Sequence, residues 1–380
     1  MSKKLFVLAG EVSGDLHAAG VISELLKARP DVKVFGIGGQ KLHTLGAELL
    51  YDTAQMSIMG FLDVLKHAGF LRRVIRNLKD AVRREKPDAA FLVDYPGMNL
   101  LMARFFHELG IPVIYYISPQ VWAWKEGRVK AISRYIDRML VIFDFEVDFF
   151  RRHQINAEFV GHPVIEELAE IALPSKEHFL KSHRLGPDRP LIGLLPGSRR
   201  QEIAHILPEM LAAARLLGHK YQAVFLLGRA PHLDADAYSI LSEYSDLRFV
   251  NCSAYEVMQY SDLALVTSGT ATLESLCFGL PMVVVYRTGM LNYLIGRWLV
   301  KLKNISLANI VAKGLGSGER AVPELIQHDA NGPEIFRQAG MILDDPALAA
   351  SMRRELLAAR KRLAGASPSL RISAILQEYL

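Results

Sequence analysis

The chain has 380 residues, about half of them hydrophobic, and 28 glycines, enough for two domains with a core each. Its two cysteines, Cys252 and Cys277, lack C-x-x-C spacing, which excludes a disulfide framework or a zinc site of that type and fits a reducing cytoplasm. The net charge of +5 is matched by the segment 66–86 alone, where eight Lys/Arg face two acidic residues; so local a surplus suits one anionic surface and no nucleic acid.

The first apolar run, 4–9, is short and leads directly into Glu11 and Asp15, so it reads as a buried strand rather than a signal peptide. No apolar stretch reaches the length of a bilayer span. Further strands are expected at 33–37, 89–93, 113–117, 139–143 and 158–160, then at 191–195, 223–227, 248–250, 263–266 and 282–285, with helical segments between them. Short, continuously apolar strands joined by helical crossovers imply parallel sheets covered on both faces. The stretch 165–190, with Pro174 and the loop 186–190, is the expected boundary. The fold class is therefore α/β, with two Rossmann-like parallel-sheet domains, 1–170 and 186–345, facing a central cleft. A tail at 346–380 reads as two helices, broken near Gly365 and Pro368, that pack over the domains. In such sheets ligands bind beyond the carboxyl ends of the strands.

Several loops at those ends can carry chemistry. After the first strand, Gly10 and Gly14 allow a tight turn, with Glu11, Ser13, Asp15 and His17 near the helix start; this is not G-x-G-x-x-G, and capping by Ser13 or Asp15 explains part of it. Asp94 ends an apolar strand before Pro96 and Gly97. It is either a partly desolvated general base or the acceptor for nearby turn amides. Trp122 and Trp124 share the loop 117–128 and either stack on a sugar or fill the core.

At 191–202 a strand runs into Pro196 and Gly197. Ser198 stands three residues before Gln201, the spacing of a capping box, with Arg199 and Arg200 in the first turn. Positive charge there is disfavoured by the helix dipole unless an anion binds, and a phosphate suits the planar fork of Arg. At 264–274 another strand ends in Ser268, Gly269 and Thr270 at a helix start, an anion cradle, with Glu274 one turn on to accept ribose hydroxyls.

The segment 58–76 is apolar and basic at once. Phe61, Leu62, Val64, Leu65, Phe70, Leu71, Val74 and Ile75 exceed one buried stripe, and Lys66, Arg72, Arg73 and Arg76 flank them. Either an anionic bilayer surface or a core helix with a basic outer face accounts for it, and 291–303 is a second, weaker segment of this kind.

Together the segments Ala9-Gly-Glu-Val-Ser-Gly-Asp15, Asp94-Tyr-Pro-Gly-Met-Asn99, Tyr116-Ile-Ser-Pro-Gln-Val-Trp-Ala-Trp124, Val160-Gly-His-Pro163, Leu195-Pro-Gly-Ser-Arg199, Thr267-Ser-Gly-Thr-Ala-Thr-Leu-Glu274 and Val322-Pro-Glu-Leu-Ile-Gln327 resemble the lipid-A-disaccharide synthase family over nearly the whole chain. The resemblance implies a GT-B glycosyltransferase at the cytoplasmic face of the inner membrane. Such an enzyme joins UDP-2,3-diacylglucosamine to 2,3-diacylglucosamine 1-phosphate (lipid X), forming a β(1→6) disaccharide and UDP. It implies Asp94 as a catalytic residue and places Arg199 and Asn309 near the active site. The other cleft positions expected for the acceptor are Glu11, Ser13, Gly14, Asp15, Asn99 and His162. The chain departs from the family at Leu307-Ala-Asn309, where Leu-Pro-Asn is common, and at Gly97, which some relatives fill with aspartate.

The expected reaction is a direct, inverting displacement. Asp94 takes the acceptor proton, with Glu11, Asp15, His17 and His162 as alternative bases. Gly197, Ser198, Arg199, Ser268, Gly269, Thr270, Glu274 and Asn309 hold UDP. Neither a metal nor a cofactor is expected for this reaction. A homodimer is compatible with the tail. A UDP-sugar 2-epimerase and a non-enzymatic UDP-binding peripheral membrane protein are the alternatives.

Overall fold

Strands that are apolar on both faces need a sheet covered on both sides. The computed structural model, which describes residues 3–57, 68–123, 126–289, 293, 302–365 and 367–380, contains two such sheets. The first comprises β1 (Lys4–Ala9), β2 (Lys33–Gly38), β3 (Glu48–Asp52), β4 (Ala89–Val93), β5 (Val113–Tyr116), β6 (Arg138–Val141) and β7 (Ala157–Phe159). It is parallel throughout, in the order β3-β2-β1-β4-β5-β6-β7. The second comprises β8 (Leu191–Leu195), β9 (Val224–Gly228), β10 (Phe249–Cys252), β11 (Leu263–Thr267), β12 (Met282–Tyr286) and β13 (Glu324–Ile326). It is parallel too, in the order β10-β9-β8-β11-β12-β13.

All eleven expected strands are present, with ends shifted by at most two residues. Two further strands, β3 and β13, were not expected. Both lie at sheet edges and are not continuously apolar: β3 carries Glu48 and Asp52 and is only partly buried, and β13 is three residues long and opens on Glu324.

The chain divides into one compact unit of Met1–Ala169 with Leu363–Leu380, and a second of Glu170–Arg362. In the first, the central strands are buried between the helices Val12–Ala28, Ala68–Glu85 and Pro96–Glu108 and their neighbours; Phe6, Leu8, Ala90, Leu92, Met102 and Phe106 are fully inaccessible. The final helix, Pro368–Gln377, packs on Val12–Ala28. Its entry is held by His162 N donating to Leu363 O (3.0 Å), by Ser369 Oγ donating to Glu166 (2.8 Å), and by the close approach of Gly365 to Gly161.

Each sheet has a switch point where strand order reverses. Helices depart to opposite faces there and leave the strand ends uncovered. In the first unit it lies between Ala9 of β1 and Val93 of β4, which are register partners. In the second it lies between β8 and β11, where Val266 pairs with Leu195.

The packing of β1 on β2 depends on Gly36, which has φ +146° and would place a Cβ 1.9 Å from the Val7 carbonyl oxygen. Gly36→Ala should therefore cost at least ~2 kcal/mol in denaturant unfolding. An unchanged midpoint would show that β2 can slide away from β1 freely.

Candidate functional site

At the first switch point the chain leaves β4 through two consecutive left-handed residues, Asp94 (φ +48°) and Tyr95 (φ +46°). Each such residue costs on the order of 1–3 kcal/mol and persists only where its surroundings enforce it. The enforcement is visible: Asp94 N donates to Tyr116 O (2.9 Å), and Asp94 O accepts from Tyr115 Oη (2.6 Å) and Asn99 Nδ2 (2.5 Å). Pro96, with its fixed φ, then opens the helix Pro96–Glu108. The Tyr95 ring lies over Gly10, where a Cβ would meet ring atoms at 2.4–2.7 Å. Burial, and secondarily the Glu11 carboxylate, push the Asp94 carboxyl up to about 6, while the Tyr95 backbone N–H and His17 act the other way.

The other residues expected around Asp94 divide. Glu11 and Ser13 are exposed at the helix start. Capping by Ser13 or Asp15 is not what the structure shows: Glu11 is the N-cap residue and no side chain caps the helix. Asp15 is instead buried and accepts from the backbone N–H of Gly39 (2.6 Å), Lys41 (3.0 Å) and Leu42 (3.3 Å), so it serves the neighbouring loop. Gly14 packs against Ala9 and the Val93 carbonyl. Asn99, expected to face an acceptor, is fully buried and donates to Val93 O and Asp94 O; it holds the turn. His162 is also buried. Its Nδ1 accepts from Val164 N (3.1 Å), and burial lowers its pKa to about 3, which keeps the ring neutral. His17 pairs with Glu167 at 3.2 Å.

The apolar, basic segment is only partly described. Phe61, Leu62, Val64 and Leu65 lie outside the described residues, as do Trp124 and most of 291–303. Within Ala68–Glu85, Phe70, Leu71 and Ile75 pack against the core, and Val74, Leu78 and Val82 belong to it. Phe70 and Leu71 are thus part of an ordinary inward stripe rather than a free apolar patch. Arg72, Arg73 and Arg76 are exposed on the opposite side.

At the second switch point Gly197 (φ +115°) turns the chain after β8. The expected Ser198–Gln201 box is displaced by one residue, because this turn makes Arg199 the N-cap of the helix Arg200–Tyr221. Glu202 Oε2 accepts from Ser198 N (3.2 Å) and Arg199 N (3.3 Å). Arg199 touches Glu202 Oε1 at 3.2 Å and is 82% exposed. Arg200 is held by both oxygens of Asp236, at 2.9 and 3.0 Å. The two arginines, alike in sequence, therefore differ: Arg199 projects into solvent and Arg200 is tied to the fold.

Beside this loop Gly269 and Thr270 are exposed at the start of the helix Thr270–Cys277. Ser268 Oγ donates to Ile305 O (3.4 Å), and Glu274 is half-buried and accepts from Tyr255 Oη (3.3 Å). Asn309 corrects an expectation. It is fully buried, its Nδ2 donating to Val322 O (2.9 Å) and Glu324 (2.8 Å) and its Oδ1 accepting from Ala321 N (2.7 Å) and Val322 N (3.0 Å). With its amide fully satisfied, it braces the loop at 321–324 and offers its side chain to no ligand. Glu324, named within the segment 322–327 but given no role from the sequence, anchors the same region by accepting from Ile305 N, Ser306 N, Ser306 Oγ and Asn309 Nδ2. The segment was legible, but only the folded chain shows that its acid is buried and holds residues 305–309.

Comparison with known proteins adds the family. The model of the lipid-A-disaccharide synthetase family matches residues 5–361. The lipid-A-disaccharide synthase of Geobacter sulfurreducens is 40% identical over 100% of this chain and 98% of its own. That of Myxococcus xanthus is 38% identical over 99% and 97%. Among solved structures, the S. aureus MnaA–UDP co-structure aligns with a TM-score of 0.67 at 15% identity, covering 99% of this chain and 96% of that one. UDP-GlcNAc 2-epimerase from Neisseria meningitidis bound to UDP-GlcNAc aligns at 0.59 and 15%, covering 99% of both chains. At such identity these likenesses bear on the fold, which is the two-domain parallel α/β architecture of GT-B enzymes. The relatives at 38–40% identity bear on the family, and by their full-length match the chain belongs to the lipid-A-disaccharide synthase family, whose members are glycosyltransferases of lipid A biosynthesis.

Proposed function

We propose that this chain joins UDP-2,3-diacylglucosamine to 2,3-diacylglucosamine 1-phosphate by an inverting displacement, releasing UDP. Asp94 is the observation that carries this reading. It is a carboxylate with a raised pKa, held in an enforced left-handed turn at a switch point. The acceptor 6-hydroxyl attacks C1 of the donor sugar while its proton passes to Asp94. The bond from C1 to the β-phosphate oxygen breaks, and its electron pair leaves with UDP. Arg199, Gly197 and Ser198 on one loop and Ser268, Gly269 and Thr270 on the other bind the diphosphate, and Arg199 stabilises its growing charge. Glu274 receives the ribose hydroxyls. The lipid substrates place the work at the cytoplasmic face of the inner membrane, where Arg72, Arg73 and Arg76 face anionic headgroups. No helix among the described residues is long and apolar enough to cross a membrane.

Asp94→Asn should lower turnover 10²- to 10⁴-fold with UDP affinity intact. Near-normal turnover would remove Asp94 from the role. The same variant has a stability signature. The folded carboxyl lies above its ordinary 3.8, so its contribution is whole below that pH and is lost as pH rises through about 6. Asp94→Asn should therefore exceed the wild type in stability at pH 8, by on the order of 1–3 kcal/mol, and converge with it near pH 4.

Arg199→Ala should weaken UDP binding roughly tenfold or more in calorimetry, as losing a charge-assisted pair implies. Equal affinity would reduce this loop to a helix start.

Replacing Arg72, Arg73 and Arg76 together by Glu should reduce sedimentation with anionic vesicles while leaving the melting temperature in place. Undiminished binding would put the membrane contact elsewhere. In a detergent assay with both lipid substrates, UDP and disaccharide should appear together. An epimerase would instead interconvert the UDP-sugar with no need of the acceptor.

A further inference from the structure

Glu146, on the helix Asp144–Arg152 that follows β6, is 2% exposed and surrounded by donors. It accepts from Phe143 N (3.0 Å) and Ile142 N (3.2 Å) at its own helix start. It also accepts from Ser118 Oγ (2.5 Å) and Trp122 Nε1 (3.1 Å), 28 and 24 residues away in the loop after β5. Burial pushes its carboxyl up to about 7 against the pull of all four donors.

A helix start does not require this. In the second unit Glu256 closes the same kind of box with Ser253 at a solvent-accessible position. What the buried acid adds is the grip on the β5 loop. That loop leaves the sheet through Ile117, a β-branched residue at φ +63°, whose conformation must be imposed from outside. The preceding residue, Tyr116, is the one whose carbonyl accepts from Asp94 N. The loop also begins a row of rings. Trp122 packs edge-on against Phe145 (5.2 Å), Phe145 stacks on Phe143 (5.1 Å, 11°), and Phe143 lies against His162 (5.1 Å). The row follows the carboxyl ends of β5, β6 and β7, and Trp122 and Phe145 are its partly exposed members.

We propose that Glu146 is a positioning residue for the acceptor: by fixing Ser118 and Trp122 it sets the β5 loop beside Asp94 and presents an aromatic wall to the acceptor's pyranose ring. This rests on the transferase reading above and adds the acceptor subsite to it. Glu146 itself touches no substrate and acts through the loop.

The test is Glu146→Gln, which keeps the volume but turns an amide group toward donors. Steady-state transfer should show the acceptor KM raised tenfold or more, the donor KM within twofold of the wild type, and no fall in melting temperature. A merely structural role would instead lower the melting temperature and raise both KM values together, and that result overturns the proposal, as does an unchanged acceptor KM. If the Gln variant does not fold, Ser118→Ala removes a single bond to Glu146 and should still raise the acceptor KM selectively; no change there overturns the proposal equally. A wild-type protein that makes no disaccharide sinks the transferase reading and this proposal with it. A wild type that turns over beside a variant of normal acceptor KM sinks the positioning role alone.

Discussion

A parallel sheet buried on both faces imposes the constraint on which everything else in this chain rests. Its strands all end on one edge, and its crossovers must cover both faces, so the strand order has to reverse once. At the reversal the neighbouring helices leave in opposite directions and the ends of two strands stay open. In the first unit those ends are Ala9 and Val93, and in the second they belong to β8 and β11. Four of the five loops singled out in the sequence follow these strand ends, and the fifth follows the adjacent β5. The fold therefore marks those ends as the candidate site before any residue is assigned a role.

The acids of the chain then separate by what their oxygens accept. Asp15, Glu146 and Glu324 are buried and each accepts three or four hydrogen bonds, from backbone N–H groups alone at Asp15 and from backbone and side chains equally at Glu146 and Glu324. Glu202 does similar work at the rim of its loop. A carboxylate so committed holds its loop in one conformation, and it loses that function on gaining a proton. Asp94 is of another kind. The fold grips chiefly its backbone, through Tyr115, Asn99 and Tyr116, while its carboxyl meets the Tyr95 backbone N–H. The committed acids supply the rigidity that lets an uncommitted one be held in place without being neutralised.

Legibility in the sequence follows the same division. Most of the eleven expected strands were readable because continuous apolar runs have one solution in a sheet of this kind; β3 and β13, like the other edge strands β7 and β10, carry no such run. The turns at Asp94, Arg199 and Ser268–Thr270 were readable as turns because a polar or glycine-rich stretch after an apolar strand is itself a signal. The sharing of roles among neighbours was not. Only the family resemblance singles out Arg199 over Arg200 in the sequence; their physical difference comes from Asp236, 36 residues beyond Arg200. Asn309 and Asn99 have the polarity of ligand-binding residues, yet their amides are fixed by carbonyls and N–H groups that only the folded chain brings close. The helix Ala68–Glu85 illustrates the reverse error, since counting apolar residues cannot show that Phe70 and Leu71 already lie against the core.

The turn at Asp94 shows what such a site demands of the rest of the unit. Two left-handed residues in succession and a partly desolvated carboxylate each work against folding, and their effects add. A sheet that needed only to fold would place glycine or asparagine at 94, where a left-handed conformation is easiest. The chain keeps aspartate, and it keeps Tyr115 and Asn99 buried beneath it with their polar groups directed at a single carbonyl oxygen. Stability is thus given up at one position and recovered through hydrogen bonds from β5 and from the helix Pro96–Glu108. That arrangement is expected where a group must be rigid in place yet able to take up a proton near neutral pH.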